Sequence, residues 1–360
     1  MIRNNAYYIL FILPLLFQCG SRSAETGNNA GIGAKLPDSM RVEKILDLKW
    51  GMFLHWSLGT FSGEEWTKGI TDPAFFQPPA AETDQWCRVA RDAGMGYILF
   101  VAKHHDGFCL WDTRTTEFKV TNSPLERDVL ADLRKSCDKY DIALCLYFSE
   151  ADWTWPDMEN AEMKAAQLTE LFTRYGEIPL VWMDVAQWDG GLDHRATEAL
   201  IRQYQPNTFI GFNHGMPAGD LQSREVGTFD VLRPAVQEAL PSHIFDSLVA
   251  LNKQLVLDLN WHDAAGIEHI LMNQYPGYLV AECAIPINQL DGRWYWFYNE
   301  ATEANAIPAA DIYRMYTDAL RSNVLFSLAL GPDRSGSLRA VDVQRLKEVG
   351  EMIRAGSHLH

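Results

Sequence analysis

Two stretches of this 360-residue chain carry residue types whose spacing could do chemistry. In Val181-Trp182-Met183-Asp184 a carboxylate closes an otherwise apolar run, and strand alternation points Trp182 and Asp184 the same way. No lysine or arginine lies close by in sequence to pair with Asp184, and a buried carboxylate is costly unless it is used. In Lys103-His104-His105-Asp106-Gly107-Phe108 two imidazoles follow another apolar run and lead into a shaped turn. Adjacent strand residues face opposite sides, so His104 and His105 could hold one metal only if the backbone turned there. No His-x-His and no bridging carboxylate completes such a site, so no metal or other cofactor is expected. Hydrogen bonding to the hydroxyls of a sugar is the better use for at least one imidazole. A metal hydrolase stays as the lesser alternative, and it would lose activity to a chelator.

Cleavage of a glycosidic bond takes two carboxylates, one as nucleophile and one as acid/base. Asp184 is the candidate for the first role. For the second, Glu225 is expected in a loop after the fifth strand, and Glu282, in Val280-Ala281-Glu282-Cys283, within a strand and able to point inward. Glu64 and Glu65, before Trp66, fall in the first loop on the same face. Sequence spacing does not rank them.

The elements that must carry these residues alternate from about residue 50 onward. Short apolar runs at 51–57, 97–102, 142–148, 180–185 and 208–213 read as strands. Helical periodicity at 83–94, 127–140, 161–176 and 196–205 separates them. After residue 225 the pattern blurs, with a helix-like segment at 244–255, then a strand at 279–285, a helix at 309–323, a strand at 324–330 and a closing helix at 340–355. No glycine-rich phosphate loop follows the first strand, so the usual reason for an open nucleotide-binding sheet is missing. Polar and aromatic residues gather instead where strands end: His55-Trp56, the His104–His105 pair, Tyr147, Trp182 with Asp184, and Asn213-His214. That distribution predicts an α/β fold, a (β/α)8 TIM-like barrel distorted in its second half, with the site on its C-terminal face.

A formal charge of −16 argues against nucleic acid or an anionic membrane surface as partner. Most of the twelve tryptophans are expected in the core. Arg3, the apolar run Ala6–Phe17 and Cys19 read as an export signal over residues 1–18, followed by a tether over 19–38 and a catalytic barrel over 39–360. Leu16 three residues before Cys19 resembles a bacterial lipoprotein box, which makes a lipid on Cys19 the one expected membrane contact. The expected location is the periplasm or the outer membrane of a bacterium. The remaining five cysteines, Cys87, Cys109, Cys137, Cys145 and Cys283, match neither a zinc knuckle nor a small disulfide scaffold.

Taken together, Gly51-Met52-Phe53-Leu54-His55-Trp56, Glu65-Trp66, Lys103 through Phe108, Arg127-Asp128, Leu146 through Ser149 and Trp182-Met183-Asp184 resemble the family 29 glycoside hydrolases, the α-L-fucosidases. The resemblance runs from about Trp50 to Ala355. It implies release of terminal α-L-fucose from an oligosaccharide or glycoconjugate, with net retention, through a covalent fucosyl–enzyme intermediate. It implies Asp184 as nucleophile, Glu225 as acid/base with Glu282 as the alternative, and a pocket lined by His55, Glu65, Trp66, His104, His105, Tyr147 and Trp182. His214 is added from its place at the end of the fifth strand, where the family commonly carries a sugar-binding arginine and this chain reads Gly211-Phe212-Asn213-His214. Trp56-Ser57-Leu58-Gly59 also departs from the family's usual glycine after the tryptophan. The resemblance implies the catalytic barrel without the C-terminal β-sandwich that the family usually carries. These departures leave open a related sugar, such as an α-galactoside, or a fucose-binding lipoprotein without catalysis.

Overall fold

The computed structural model describes residues 33–155, 160–213, 218–225, 277–290, 293–321 and 323–356. The export signal, Cys19, most of the tether, His214 and the helix expected at 244–255 lie outside the described residues.

Eight parallel strands close into a barrel: β1 (Trp50–Leu54), β2 (Tyr97–Lys103), β3 (Ala143–Ser149), β4 (Leu180–Asp184), β5 (Phe209–Phe212), β6 (Leu221–Glu225), β7 (Val280–Pro286) and β10 (Val324–Leu330). Neighbours in space follow chain order, and β1 closes the ring by pairing β10, Trp50 opposite Phe326 through Leu54 opposite Leu330. Between β7 and β10 a short antiparallel hairpin, β8 (Asn288–Leu290) and β9 (Arg293–Tyr295), stands outside the barrel. The expected barrel is therefore present.

Apart from β6, the strands are buried on both faces, which is why their sequences read as apolar runs rather than alternations. Phe53, Tyr97, Leu99, Cys145, Tyr147, Trp182 and Leu325 fill the interior, while the opposite faces pack against the surrounding helices. Gly51 belongs to this interior. A Cβ there would lie 2.3 Å from the Tyr97 ring, and the space it leaves lets the Tyr97 hydroxyl meet Ser327 Oγ at 2.7 Å.

Three features differ from the sequence expectation. Helix α1 (Asp38–Leu46) precedes β1 where the sequence reading assigned no element, and Leu36 N–H donates to Asn207 Oδ1 at 2.8 Å. Second, Glu225 ends a strand, β6, rather than lying in a loop. Leu221-Gln222-Ser223-Arg224-Glu225 is too polar to read as a buried strand, yet it pairs with β7 from Leu221 opposite Val280 to Glu225 opposite Ala284. Third, β5 and β6 are separated by only residues 213–220, too few for the helix that separates the earlier strands. Buried Asp220 holds this junction: its Oδ1 accepts from Ile210 N at 2.8 Å, and Oδ2 from Arg202 at 2.5 Å and from Arg41 of α1.

A short helix, α2 (Leu58–Ser62), follows β1 on the catalytic face. Helices α3 (Thr83–Ala93), α4 (Val129–Tyr140), α5 (Ala161–Arg174) and α6 (His194–Tyr204) start and stop where the sequence predicts, within a few residues. Gly94, left-handed at φ 82°, ends α3, and Asp128, Asn160 and Asp193 cap the next three N-termini through side-chain oxygens. Such caps contribute about 1 kcal/mol each. Helices α7 (Ala309–Arg321) and α8 (Ala340–Gly356) flank β10 in sequence.

Candidate active site

Asp184, at the last position of β4, is buried beneath the C-terminal face. Its Oδ2 accepts the Tyr147 hydroxyl at 2.6 Å. Its Oδ1 accepts the N–H of Val185 at 2.7 Å and the Asn213 amide at 2.8 Å. Val185 reaches that geometry at φ 54°, a region a β-branched residue rarely adopts. The strain turns the chain sharply at the carboxylate and puts its own backbone donor on it.

Asn213 has a second partner. The same Nδ2 donates to Glu225 Oε1 at 2.9 Å, so one side-chain amide joins the carboxylates at the ends of β4 and β6. An amide oxygen facing two carboxylates would be repelled by both, so the nitrogen must be the atom presented there.

The turn after β2 brings both histidines to the same place. The register slips between Val101 and Lys103, Gly107 takes φ 82°, and its N–H donates to His104 O at 3.0 Å. Strand alternation therefore fails at this pair, and the two imidazole centroids lie 4.1 Å apart. A Cβ on Gly107 would sit 2.3 Å from the Asp152 carboxylate, so the turn requires glycine on two counts. His105 Nδ1 meets Ser149 Oγ at 2.7 Å and its Nε2 lies 3.8 Å from Asp184 Oδ2. His104 stacks beside Tyr147.

His55, beyond the end of β1, packs against Phe53, Trp296 and Phe297. Burial pushes its imidazole down to about 3, and burial with the two neighbouring imidazoles holds His104 well below the usual histidine range. Both are neutral at pH 7, each offering one N–H donor and one acceptor. Among the described residues, no three His, Cys, Asp or Glu side chains converge as metal ligands.

The other expected residues fall at different depths. Trp182 lies fully inside the barrel beneath Asp184, packed on Phe53. Glu65 accepts from the backbone N–H of Trp296 at 3.0 Å, and Trp66 next to it is 63% exposed. Glu282 faces the barrel interior midway along β7, opposite Ser223, with no exposed surface. Burial pushes its carboxyl up to about 8, against a lowering contribution from Ser327. Glu225 is only half-buried and reaches Asp184 through Asn213, which Glu282 does not.

Sequence reasoning placed Asn213 at a strand end on the catalytic face but gave it no role, and it missed Trp153, whose ring lies 4.6 Å from His105. It also missed the buried pair Glu150–Lys164 behind the site. Lys164 Nζ donates to Glu150, to Asp189 O at 2.7 Å and to Leu192 O at 2.9 Å, while Glu150 N–H donates to Asp184 O at 2.8 Å. The signal available was a glutamate directly after a strand.

Residues 71–254, about half the chain, match the family model described as Alpha-L-fucosidase. The chain belongs to the α-L-fucosidase family.

Its similarity to other α-L-fucosidase family members extends beyond that segment. Alpha-L-fucosidase 1 of Arabidopsis thaliana is 30% identical over 328 residues, covering 88% of this chain and 60% of that protein. A relative from Oryza sativa subsp. japonica is 32% identical over 359 residues, covering 96% of this chain and 64% of its own length. The chain thus spans less than two thirds of either plant relative. Among solved structures, a glycoside hydrolase 29 family member from an unknown rumen bacterium superposes with a TM-score of 0.68 at 28% identity, over 90% of this chain and 57% of that one.

Proposed function

We propose that this chain is an exo-acting, retaining α-L-fucosidase that removes terminal fucose from a fucosylated oligosaccharide or glycoconjugate, with Asp184 as nucleophile and Glu225 as acid/base. Family membership supports the substrate class. The observation that carries the mechanism is the Asn213 bridge. Two carboxylate oxygens at 2.8 and 2.9 Å from one nitrogen cannot be further apart than those two bonds end to end, about 5.7 Å. At the roughly 120° angle between the two amide hydrogens the span is about 5 Å. Facing oxygens that close suit a retaining enzyme, whose carboxyl groups stand about 5–5.5 Å apart, better than an inverting one, whose groups stand about 6.5–9.5 Å apart to admit a water.

In the first step a carboxylate oxygen of Asp184 forms a bond to the anomeric carbon as the glycosidic C–O bond breaks. The departing oxygen takes the Glu225 proton. In the second, water attacks that carbon, gives a proton to Glu225, and the Asp184 ester bond breaks. Neutral His55 and His104, with His105, stand where they can bond the ring hydroxyls, and Trp66 offers an apolar face.

Hydrolysis of an aryl α-L-fucoside tests this reading. Asp184→Ala should abolish turnover, and added azide should restore it as the β-fucosyl azide. Glu225→Ala with azide should give the α-azide. An active Asp184→Ala enzyme, or turnover of an α-galactoside alone, would refute it. Export with a lipid on Cys19 belongs to the same proposal, and loss of palmitate labelling in Cys19→Ala is its check.

A further inference from the structure

The end of β3 and the loop after it close on one imidazole of the pocket, and the reaction above gives that loop no part. Ser149 ends β3 opposite Asp184 of β4 and is fully buried. Tyr147 precedes it on the same face of the strand, since alternation turns both side chains one way. Tyr147 bonds Asp184 itself, whereas Ser149 Oγ lies 2.7 Å from His105 Nδ1. Trp153 donates its backbone N–H to His105 O at 2.6 Å and lays its ring 4.6 Å from the imidazole. Lys68, from the loop after β1, stands 4.6 Å from the centroid of the same indole. Asp152 keys the loop to the turn that carries His105. Its carboxylate lies against Gly107, where a Cβ would not fit, and its Oδ1 accepts from Thr154 N at 3.2 Å and Trp155 N at 2.9 Å.

The bonds of Ser149 decide which nitrogen of His105 carries the proton. Its Oγ takes the N–H of Ala151 at 3.2 Å, and its single proton has two acceptors in reach, Ala151 O at 3.1 Å and His105 Nδ1 at 2.7 Å. Were that proton given to Ala151, Nδ1 would have to be the donor. A neutral ring would then turn the lone pair of Nε2 on Asp184 Oδ2, 3.8 Å away, and the carboxylate would repel it. Given to Nδ1 instead, the proton leaves the neutral ring with its N–H at Nε2, which the same carboxylate attracts. The shorter contact and the charge at the far end of the ring agree. An N–H there faces the carboxylate to which negative charge returns as the fucosyl ester breaks, and such bonds are often long before substrate binds.

On the reading of Asp184 as nucleophile, we propose that Ser149 and Trp153 are positioning residues of the reaction. Ser149 gives its hydroxyl proton to His105 Nδ1 and so fixes the imidazole N–H at Nε2, beside Asp184, while Trp153 holds the plane of the ring. A ring free to exchange its proton between the two nitrogens, or to turn over, would place the wrong atom at the carboxylate for part of the time.

Nitrogen NMR of the full chain, isotopically labelled at histidine, reads the tautomer directly, with His105→Gln to assign the resonances. Where the ring is neutral, Nε2 should resonate as the protonated nitrogen and Nδ1 as the bare, hydrogen-bonded one, and Ser149→Ala should move Nδ1 further downfield. A neutral ring protonated at Nδ1, a ring protonated on both nitrogens at every pH, or an Nδ1 resonance indifferent to Ser149→Ala would overturn the assignment. On an aryl α-L-fucoside, Ser149→Ala should lose about tenfold in kcat with little change in KM. Trp153→Ala should lose kcat in the same way, and Trp153→Phe should regain most of it. Equal losses in the two Trp153 variants, no loss in either, or losses carried by KM would overturn the role of the indole. The spectrum does not depend on turnover. An Nε2–H tautomer in a chain that cleaves no fucoside upholds the Ser149 bond and sinks only the fucosidase reading.

Discussion

At the scale of single residues, the site is organised by an amide rather than by a cation. Asn213 stands just past the end of β5, and its Nδ2 bonds both Asp184 and Glu225. Hydrogen bonds to charged groups are worth about 1.5–3 kcal/mol each. Asn213→Ala should therefore lower kcat on an aryl fucoside roughly tenfold to a hundredfold with a smaller change in KM. Asn213→Asp, which adds a third carboxylate, should do worse. Steady-state kinetics decide it, and an unchanged kcat would show the bridge to be incidental. Glu282 makes a different prediction. Folded, it keeps its proton up to about 8, whereas the unfolded carboxyl releases it near 4.5. Its contribution is thus intact below pH 4.5 and lost as pH rises through 8. Relative to the parent, Glu282→Gln should gain roughly 4 kcal/mol of stability between pH 4.5 and pH 8, since a proton held only by the folded chain is worth about 1.4 kcal/mol for every pH unit crossed. Denaturant melts at the two pH values measure it, and a constant difference would contradict the assignment.

At the scale of elements, the loop after β4 is fixed by Lys164 of α5, which reaches across to Glu150 and to two carbonyls of that loop. Removing the lysine leaves a fully buried carboxylate without its cation and frees the turn that begins at strained Val185. Breaking a buried pair costs about 3–5 kcal/mol. Lys164→Met should lower Tm by several degrees and reduce kcat. Burial raises Glu150 to about 7 even beside Lys164, so at pH 5.5 the orphaned carboxyl can take a proton. The destabilisation should accordingly be smaller at pH 5.5 than at pH 8, and scanning calorimetry at both values tests it. A loss of equal size at both would place the cost elsewhere. Strand β6 is the element that sequence reasoning could not see. Its five residues hold one apolar side chain, because its inner face supplies Ser223 to the interior opposite Glu282 and Glu225 to the barrel mouth.

At the scale of the molecule, the formal charge of −16 bears on the substrate. A field of that sign repels anionic glycans and is screened by salt, the Debye length falling from about 30 Å at 0.01 M to about 3 Å at 1 M. A sialylated fucosyl oligosaccharide should be cleaved with lower kcat/KM than its neutral counterpart at low salt, and the gap should narrow as salt rises. A gap independent of salt would mean that a direct steric or polar contact discriminates.

The barrel was legible because strands buried on both faces must be apolar along their whole length, and the helices between them carry their own caps and 3.6-residue stripes. Asp184 was legible for the related reason that a carboxylate ending such a strand is out of place unless it is used. Residues joined through space were not. Asn213, Glu150 with Lys164, and Trp153 owe their roles to partners on other strands and loops, and no local pattern encodes those distances. The same holds for the two glutamates, equal in sequence and set apart only by depth in the barrel. Glu225 stands at a strand end beside Asn213, while Glu282 lies midway along its strand, fully buried, where the interior favours a proton over a charge.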